Sequence, residues 1–154
     1  MSRIPFCLLA FVTVAANAAS SALPVRPDNF NLNAFKGKVV YLDFWASWCG
    51  PCKLSFPYME QLAHSFDNRE LVVIADNLDH STAKAQAFLR SLGATIPVMY
   101  DRKGVLATRF NVSTMPTSIL IDRDGKIRYV HKGFFENKES EYTSHVIELI
   151  NEKN

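Results

Sequence analysis

The chain has 154 residues, with 17 Lys and Arg against 15 Asp and Glu and a formal net charge of +2 at pH 7. A balance so near neutral, with no run of basic residues, argues against nucleic acid as the main partner. The length suits one domain with a real core and is short for two, and no internal repeat or low-complexity tract stands out.

Residues 1–18 read as a secretory leader. Arg3 gives a positive n-region, Ile4 to Ala16 a short apolar run, and Ala16-Asn17-Ala18 a small-x-small cleavage site. The run falls short of the roughly 20 residues that span a bilayer comfortably. Cleavage and export are therefore expected, with an uncleaved membrane anchor as the alternative. Cleavage would remove Arg3 and Cys7, leaving sixteen basic residues against fifteen acidic ones and only two cysteines. An even, minimal count in an exported chain fits a catalytic pair and not a disulfide scaffold. Residues 19–29 read as a mobile lead-in, and 30–154 as the folded domain.

Phe30 and Leu32 suggest a short edge strand before a turn at Lys36-Gly37-Lys38. Val39 to Phe44 is a nearly continuous apolar run, the pattern of a central parallel strand buried on both faces. Asp43 breaks it. A carboxylate buried without a partner is costly. Asp43 therefore either meets water at the strand end or lies inside with a raised pKa, placed to move a proton.

The next stretch, Phe44-Trp45-Ala46-Ser47-Trp48-Cys49-Gly50-Pro51-Cys52-Lys53, is where the chemistry concentrates. It joins the strand to a helix-like run from Cys52 to Phe66, with Cys52, Phe56, Met59, Ala63 and Phe66 at helical spacing. Pro57 interrupts that run and predicts a kink. A helix start offers unpaired N–H groups and the positive end of the dipole, so a thiolate is favoured there. Cys49 should then have a lowered pKa, while Cys52, one turn in, is better shielded. Pro51 suits the first turn, where its missing N–H costs nothing. A redox dithiol is the reading that fits. A zinc half-site would need two more ligands, and His64, His80, His131 and His145 show no finger-like pair. A structural disulfide would close a longer loop to more effect, and an inert buried pair fits poorly with the aromatic, Gly-Pro setting.

The segment from Asp43 to Cys52 resembles the active site of the thioredoxin superfamily. Extended to FWASWCGPCKLSFPYME, with Lys36-Gly37-Lys38 before it, it is more similar to the exported TlpA/ResA-like thiol–disulfide reductases. The likeness covers roughly residues 30 to 150. It implies a thioredoxin-like α/β fold with a mixed central sheet between helices. Asp43 falls where thioredoxins carry a buried, proton-shuttling Asp, whereas many TlpA/ResA-like proteins have a non-acidic residue there.

Leu71 to Ala75 reads as a second buried parallel strand. Asp76 to His80 links it to a helix with Ser81 as N-cap, Ala85, Phe88, Leu89 and Leu92 on one face, and Gly93 as its end. Ile96 to Tyr100 is a short strand. This strand–helix addition resembles the insertion that sets TlpA/ResA-like proteins apart from plain thioredoxin. In some relatives an acid in the link tunes the dithiol; Asp79 or His80 could do so, capping or solvent exposure being the simpler account.

Val105 to Phe110 reads as a short helix, and Ser118 to Asp122 as a strand preceded by Met115-Pro116-Thr117. Pro is permitted at a strand start. The resemblance places a cis proline at Pro116, opposite the cysteines, so that the backbone of Met115 would face the site and pair with an extended substrate. Asp124-Gly125 marks a hairpin turn, Ile127 to His131 returns antiparallel, and Tyr142, Val146, Leu149 and Ile150 stripe a final helix.

The function expected is a periplasmic thiol–disulfide oxidoreductase that reduces protein disulfides through Cys49 and Cys52, with Asp43 assisting and Pro116 shaping the site. Trp48, Gly50, Pro51 and Met115 are expected to touch substrate. No metal or organic cofactor is implied. By the resemblance, candidate substrates include apocytochrome c, a membrane thiol reductase would recharge the pair, and the chain would act as a monomer. A thiol oxidant or isomerase, or a binding module with an idle disulfide, are the alternatives.

Overall fold

The computed structural model describes residues 26–152; the expected leader and cleavage site lie outside them. Five strands form one mixed sheet: β1 Val39–Trp45, β2 Leu71–Asn77, β3 Val98–Tyr100, β4 Thr117–Ile121 and β5 Ile127–Lys132. Their order across the sheet is β3-β2-β1-β4-β5. β1 pairs parallel with β2, and β2 with β3, while β1–β4 and β4–β5 are antiparallel. Four helices complete the domain: α1 Gly50–Ser65, α2 Thr82–Leu92, α3 Val105–Arg109 and α4 Glu139–Asn151. This is the element order expected.

Side chains alternate across a strand, and β1 divides the core by that rule. Val39, Tyr41 and Trp45 join one cluster with Cys52, Phe56 and Met59 of α1, Ala85 of α2, and Tyr142, Val146 and Leu149 of α4. Val40, Leu42 and Phe44 point the other way, into a cluster with Phe30, Phe35, Met99 and Leu106. All seven residues of β1 are buried, each large apolar one contributing about 1.5–3 kcal/mol. Parallel strands covered on both faces read as apolar runs for this reason.

Three expectations need correction. Phe30 and Leu32 form no strand: Leu32–Phe35 is a 3-10 turn, capped where Asn31 accepts from the Asn33 N–H at 3.0 Å. Phe30 is buried and stacks on Phe35 with ring centroids 5.6 Å apart, so its burial comes from capping the core and not from sheet pairing. The expected strand from Ile96 starts only at Val98, because the Ile96 N–H donates to Glu60 on α1 at 2.9 Å and Pro97 has none to give. Ser81 is the N-cap residue of α2, but its side chain makes no capping bond. Gly93 ends α2 in the left-handed conformation at φ 62°, as its position predicts. Pro57 lies inside α1. Of the lead-in, Pro27–Asn29 forms a 3-10 turn beside α3.

Candidate active site

Cys49 closes β1's loop and is the N-cap of α1; it is disulfide-bonded to Cys52. Its Sγ accepts the Cys52 N–H at 3.3 Å. One of the orphan donors of the first helical turn is thus aimed at the sulfur, the local contact that favours a thiolate there. The two sulfurs differ in access: Cys49 is 7% exposed and Cys52 fully buried. Around Cys49, Gly50 and Pro51 are exposed and Trp48 projects with 71% of its surface free. Gly50 and Pro51 open α1, where the missing Pro N–H breaks no helical bond.

Asp43 shares its strand face with Tyr41 and Trp45 and so faces the layer that contains Cys52. It is completely buried, not solvated at the strand end. Its Oδ1 accepts from the Ser118 hydroxyl at 2.6 Å, and Ser118 in turn accepts from the Tyr41 hydroxyl at 2.9 Å. Oδ2 has no partner. Burial pushes the carboxyl up to about 7, against the opposing pull of the Ser118 hydrogen bond. A carboxyl balanced near neutrality can take a proton and return it.

Pro116 is buried and follows Met115 through a cis peptide bond. Met115 is half-buried and packs on the cluster holding both cysteines. The Pro116 carbonyl accepts from the Gly133 N–H at 2.8 Å, tying the end of β5 to this loop. Gly133, at φ 81°, lets the Phe135 ring fold back over it: a Cβ there would meet that ring at 3.3 Å. Phe135 nevertheless remains 54% exposed.

Asp79 is not the solvated or capping residue expected. It is buried, and its carboxylate accepts from the Ser47 N–H and the Ser47 hydroxyl, both at 2.8 Å, and from the Asn77 side chain at 2.8 Å. It therefore pins the loop leading into Cys49. His80 is exposed and contributes its carbonyl to Arg102. Among the described residues no group of three or more His, Cys, Asp or Glu is placed to hold a metal ion.

Residues 12–146 match the family model described as Redoxin. The chain belongs to the Redoxin family. It is 30% identical over 131 residues to the thiol-disulfide oxidoreductase ResA of Geobacillus kaustophilus (strain HTA426), covering 84% of this chain and 75% of that one. To the ResA of Bacillus subtilis (strain 168) it is 36% identical over 102 residues, 66% of this chain and 57% of that relative; it thus spans less than two thirds of that protein's length. The solved structure of a Chlorobium tepidum protein assigned as thiol:disulfide interchange protein DsbE is 41% identical, with a TM-score of 0.75 over 78% of this chain and 85% of that one. This Redoxin-family chain is accordingly a ResA-like member of the thioredoxin superfamily with the thioredoxin-like α/β fold, and its cysteine pair is that of a thiol–disulfide oxidoreductase.

Sequence reasoning missed four residues at this Redoxin-family site. Ser118 is the cross-strand partner of Asp43, a relation visible only once the antiparallel register of β1 and β4 is set. Tyr41, two residues before Asp43 on the same face, looked like ordinary core. Ser47 looked like linker, though it carries the only hydroxyl between Asp43 and Cys49. Phe135 carried no periodic signal, because it belongs to the loop between β5 and α4.

Proposed function

We propose that the chain is an exported, periplasmic reductant of protein disulfides. The observation that carries this is the asymmetric pair: Cys49 at the helix start among exposed Trp48, Gly50 and Pro51, and Cys52 fully buried in the layer that Asp43 faces. In the reduced protein the Cys49 thiolate attacks one sulfur of a substrate disulfide, and the other leaves as a thiolate that takes a proton from water. Cys52 then gives its proton to Asp43, attacks the Cys49 sulfur, and releases the second substrate thiol. Two electrons pass to the substrate, and the protein ends as the disulfide seen in this structure. No metal or organic cofactor enters these steps. A membrane thiol reductase would restore the dithiol, since the expected compartment holds no thiol buffer. Trp48, Gly50, Pro51 and Met115 contact the substrate, whose extended segment runs alongside the Met115 backbone. Apocytochrome c is one substrate of fitting chemistry, and the chain acts as a monomer. The apolar run of residues 4–16 and the small residues after it support a cleavable leader.

Trapping tests the division of roles. Expressed with its leader, Cys52→Ser should accumulate covalent complexes that dissolve on reduction, because Cys49 still attacks and nothing resolves the product. Cys49→Ser should accumulate none. Equal trapping by both variants, or by neither, would refute the scheme. The identity of the trapped proteins would reveal the substrates and the electron donor together.

A further inference from the structure

Asp43 receives a hydrogen bond at one oxygen only, and that bond is the end of a chain. Tyr41 has a single proton to donate and gives it to Ser118; Ser118 has a single proton and gives it to Oδ1 of Asp43. Among the described residues Ser118 is the only hydrogen-bond partner of the Tyr41 hydroxyl. All three groups are buried in the same layer of the core, where an idle hydroxyl would be costly. With both protons committed, Oδ1 is occupied as an acceptor and Oδ2 alone is open.

We propose that Ser118 and Tyr41 form a two-hydroxyl relay that positions Asp43, holding Oδ1 and reserving Oδ2 as the atom that takes the proton of Cys52. The assignment rests on the reading of Asp43 as proton acceptor given above. Ser118 and Tyr41 are positioning residues, acting through Asp43. The step balances simply: the Cys52 S–H bond breaks, an O–H bond forms at Oδ2, and the electron pair left on sulfur makes the Cys49–Cys52 bond as the substrate sulfur departs. The chain also has a chemical effect. A donor to a carboxylate favours the ionised form, so Ser118 keeps a useful fraction of Asp43 able to accept a proton at neutral pH, against the pull of burial. Tyr41, polarising the Ser118 hydroxyl, strengthens that donation.

The titratable groups around this layer do not compete for the role. β1 contributes Tyr41, α1 Cys52 and Tyr58, α4 Tyr142, and β5 His131, the cross-strand partner of Ser118. Tyr41 and Tyr58 are pushed upward by burial, and His131 is pushed down to about 4 by burial and by His145. None of these groups carries a positive charge at pH 7. β2 offers Asp43 only the methyl of Ala75 as cross-strand neighbour.

The test follows two readouts in the full chain. The first is the carboxyl carbon of Asp43, followed by NMR as the oxidised protein is titrated. The second is the pH profile of the resolving step, read in the reduced protein as release of thionitrobenzoate from its mixed disulfide with Cys49. Ser118→Ala should raise the Asp43 midpoint by about one pH unit, since the ionised carboxyl loses its one hydrogen-bond donor. At pH 7 the resolving step should then slow by up to about fivefold, with its profile displaced to higher pH by the same amount. Ser118→Thr, which keeps the hydroxyl, should restore both readouts, and Tyr41→Phe should move both in the same direction by less. The double variant Ser118→Ala with Tyr41→Phe leaves no orphaned phenol and guards against a folding defect; it should behave as Ser118→Ala. An unmoved Asp43 midpoint in Ser118→Ala overturns the relay. A resolving step slowed by Asp43→Asn but unshifted in Ser118→Ala also overturns it, and leaves the role of Asp43 intact. A resolving step indifferent even to Asp43→Asn removes the proton acceptor itself, and the relay falls with it.

Discussion

Asp43 and Asp76 stand on neighbouring central strands, both fully buried, and point to opposite faces of one sheet. Asp43 lies in the layer of α1 and the cysteines. Asp76 lies on the other side, flanked in the sheet by Phe44 and Met99 of the second apolar cluster. Burial raises both carboxyls, Asp43 to about 7 and Asp76 to about 8. The surroundings make the difference. Asp43 has a hydroxyl at one oxygen; Asp76 has a partner at neither and feels the negative charge of Asp101 besides. Equal depth thus gives one acid poised to exchange a proton near neutrality and another held mainly neutral. Strand parity decides which of the two can serve the cysteines.

The largest expected contrast is kinetic. Asp43→Asn should slow the resolving step by about 10²–10³-fold near neutral pH, within the usual range for general acid–base help. The first attack by Cys49 should change little, because that sulfur depends on the helix start and not on the carboxyl. Asp76→Asn should leave both steps unchanged. Stopped-flow measurement of thiol release in the two variants checks this, and equal slowing in both would mean that buried carboxyls act through the fold and not through proton transfer.

A second contrast is in stability against pH. Folding raises the pKa of each carboxyl above its unfolded value of about 4. Below that value both states hold the proton and the group costs nothing as a charge. As pH rises through the folded values, near 7 for Asp43 and 8 for Asp76, the stability held by the protonated form is lost. Asp76→Asn removes that loss, so the variant should be more stable than wild type by about 2–4 kcal/mol at pH 9, with the gain vanishing toward pH 4. Asp43→Asn should gain in the same direction by less, because its own window closes lower and it forfeits the Ser118 hydrogen bond. Urea unfolding of the oxidised proteins across this pH range reads both. A gain that is constant with pH would show that neither carboxyl titrates on unfolding.

Much of this was legible from residues alone, for physical reasons. The apolar run of β1 announces a strand covered on both faces, the strand-to-helix handover places Cys49 at a helix start, and Gly93 marks a helix end. The acid within β1 announced itself because a buried charge is rare. What sequence could not supply was register and parity. Whether Asp43 is met by Ser118, Ile119 or Thr117 depends on how β4 pairs with β1, and a slip of one residue would turn the hydroxyl to the other face. Asp76 and Asp79, three residues apart, looked alike as polar link residues. One ends inside the sheet without a partner, and the other holds the loop before Cys49. Phe30 was read as strand because burial by a strand and burial by a capping turn leave the same apolar letter.

The smallest effect expected concerns the neighbour that separates the two acids. Asp101 is buried and spends its carboxylate on the first turn of α3, accepting the N–H groups of Val105, Leu106 and Ala107 at 2.8, 2.7 and 3.2 Å. As a like charge it adds to the upward push on Asp76, while it is not among the causes that move Asp43. Asp101→Asn removes the charge and keeps one oxygen to accept from the turn. Two results should follow. The Asp76 midpoint should fall by less than about one pH unit, since the like charge acts in addition to the dominant burial term. Global stability should drop by about 0.5–2 kcal/mol, the usual cost of weakening the cap of a helix. The Asp43 midpoint should stay where it is. Carboxyl NMR titration of the two aspartates in one sample distinguishes these outcomes directly. If Asp43 moved together with Asp76, the sheet would be transmitting charge between its faces, and the separation of the two acids by strand parity would fail.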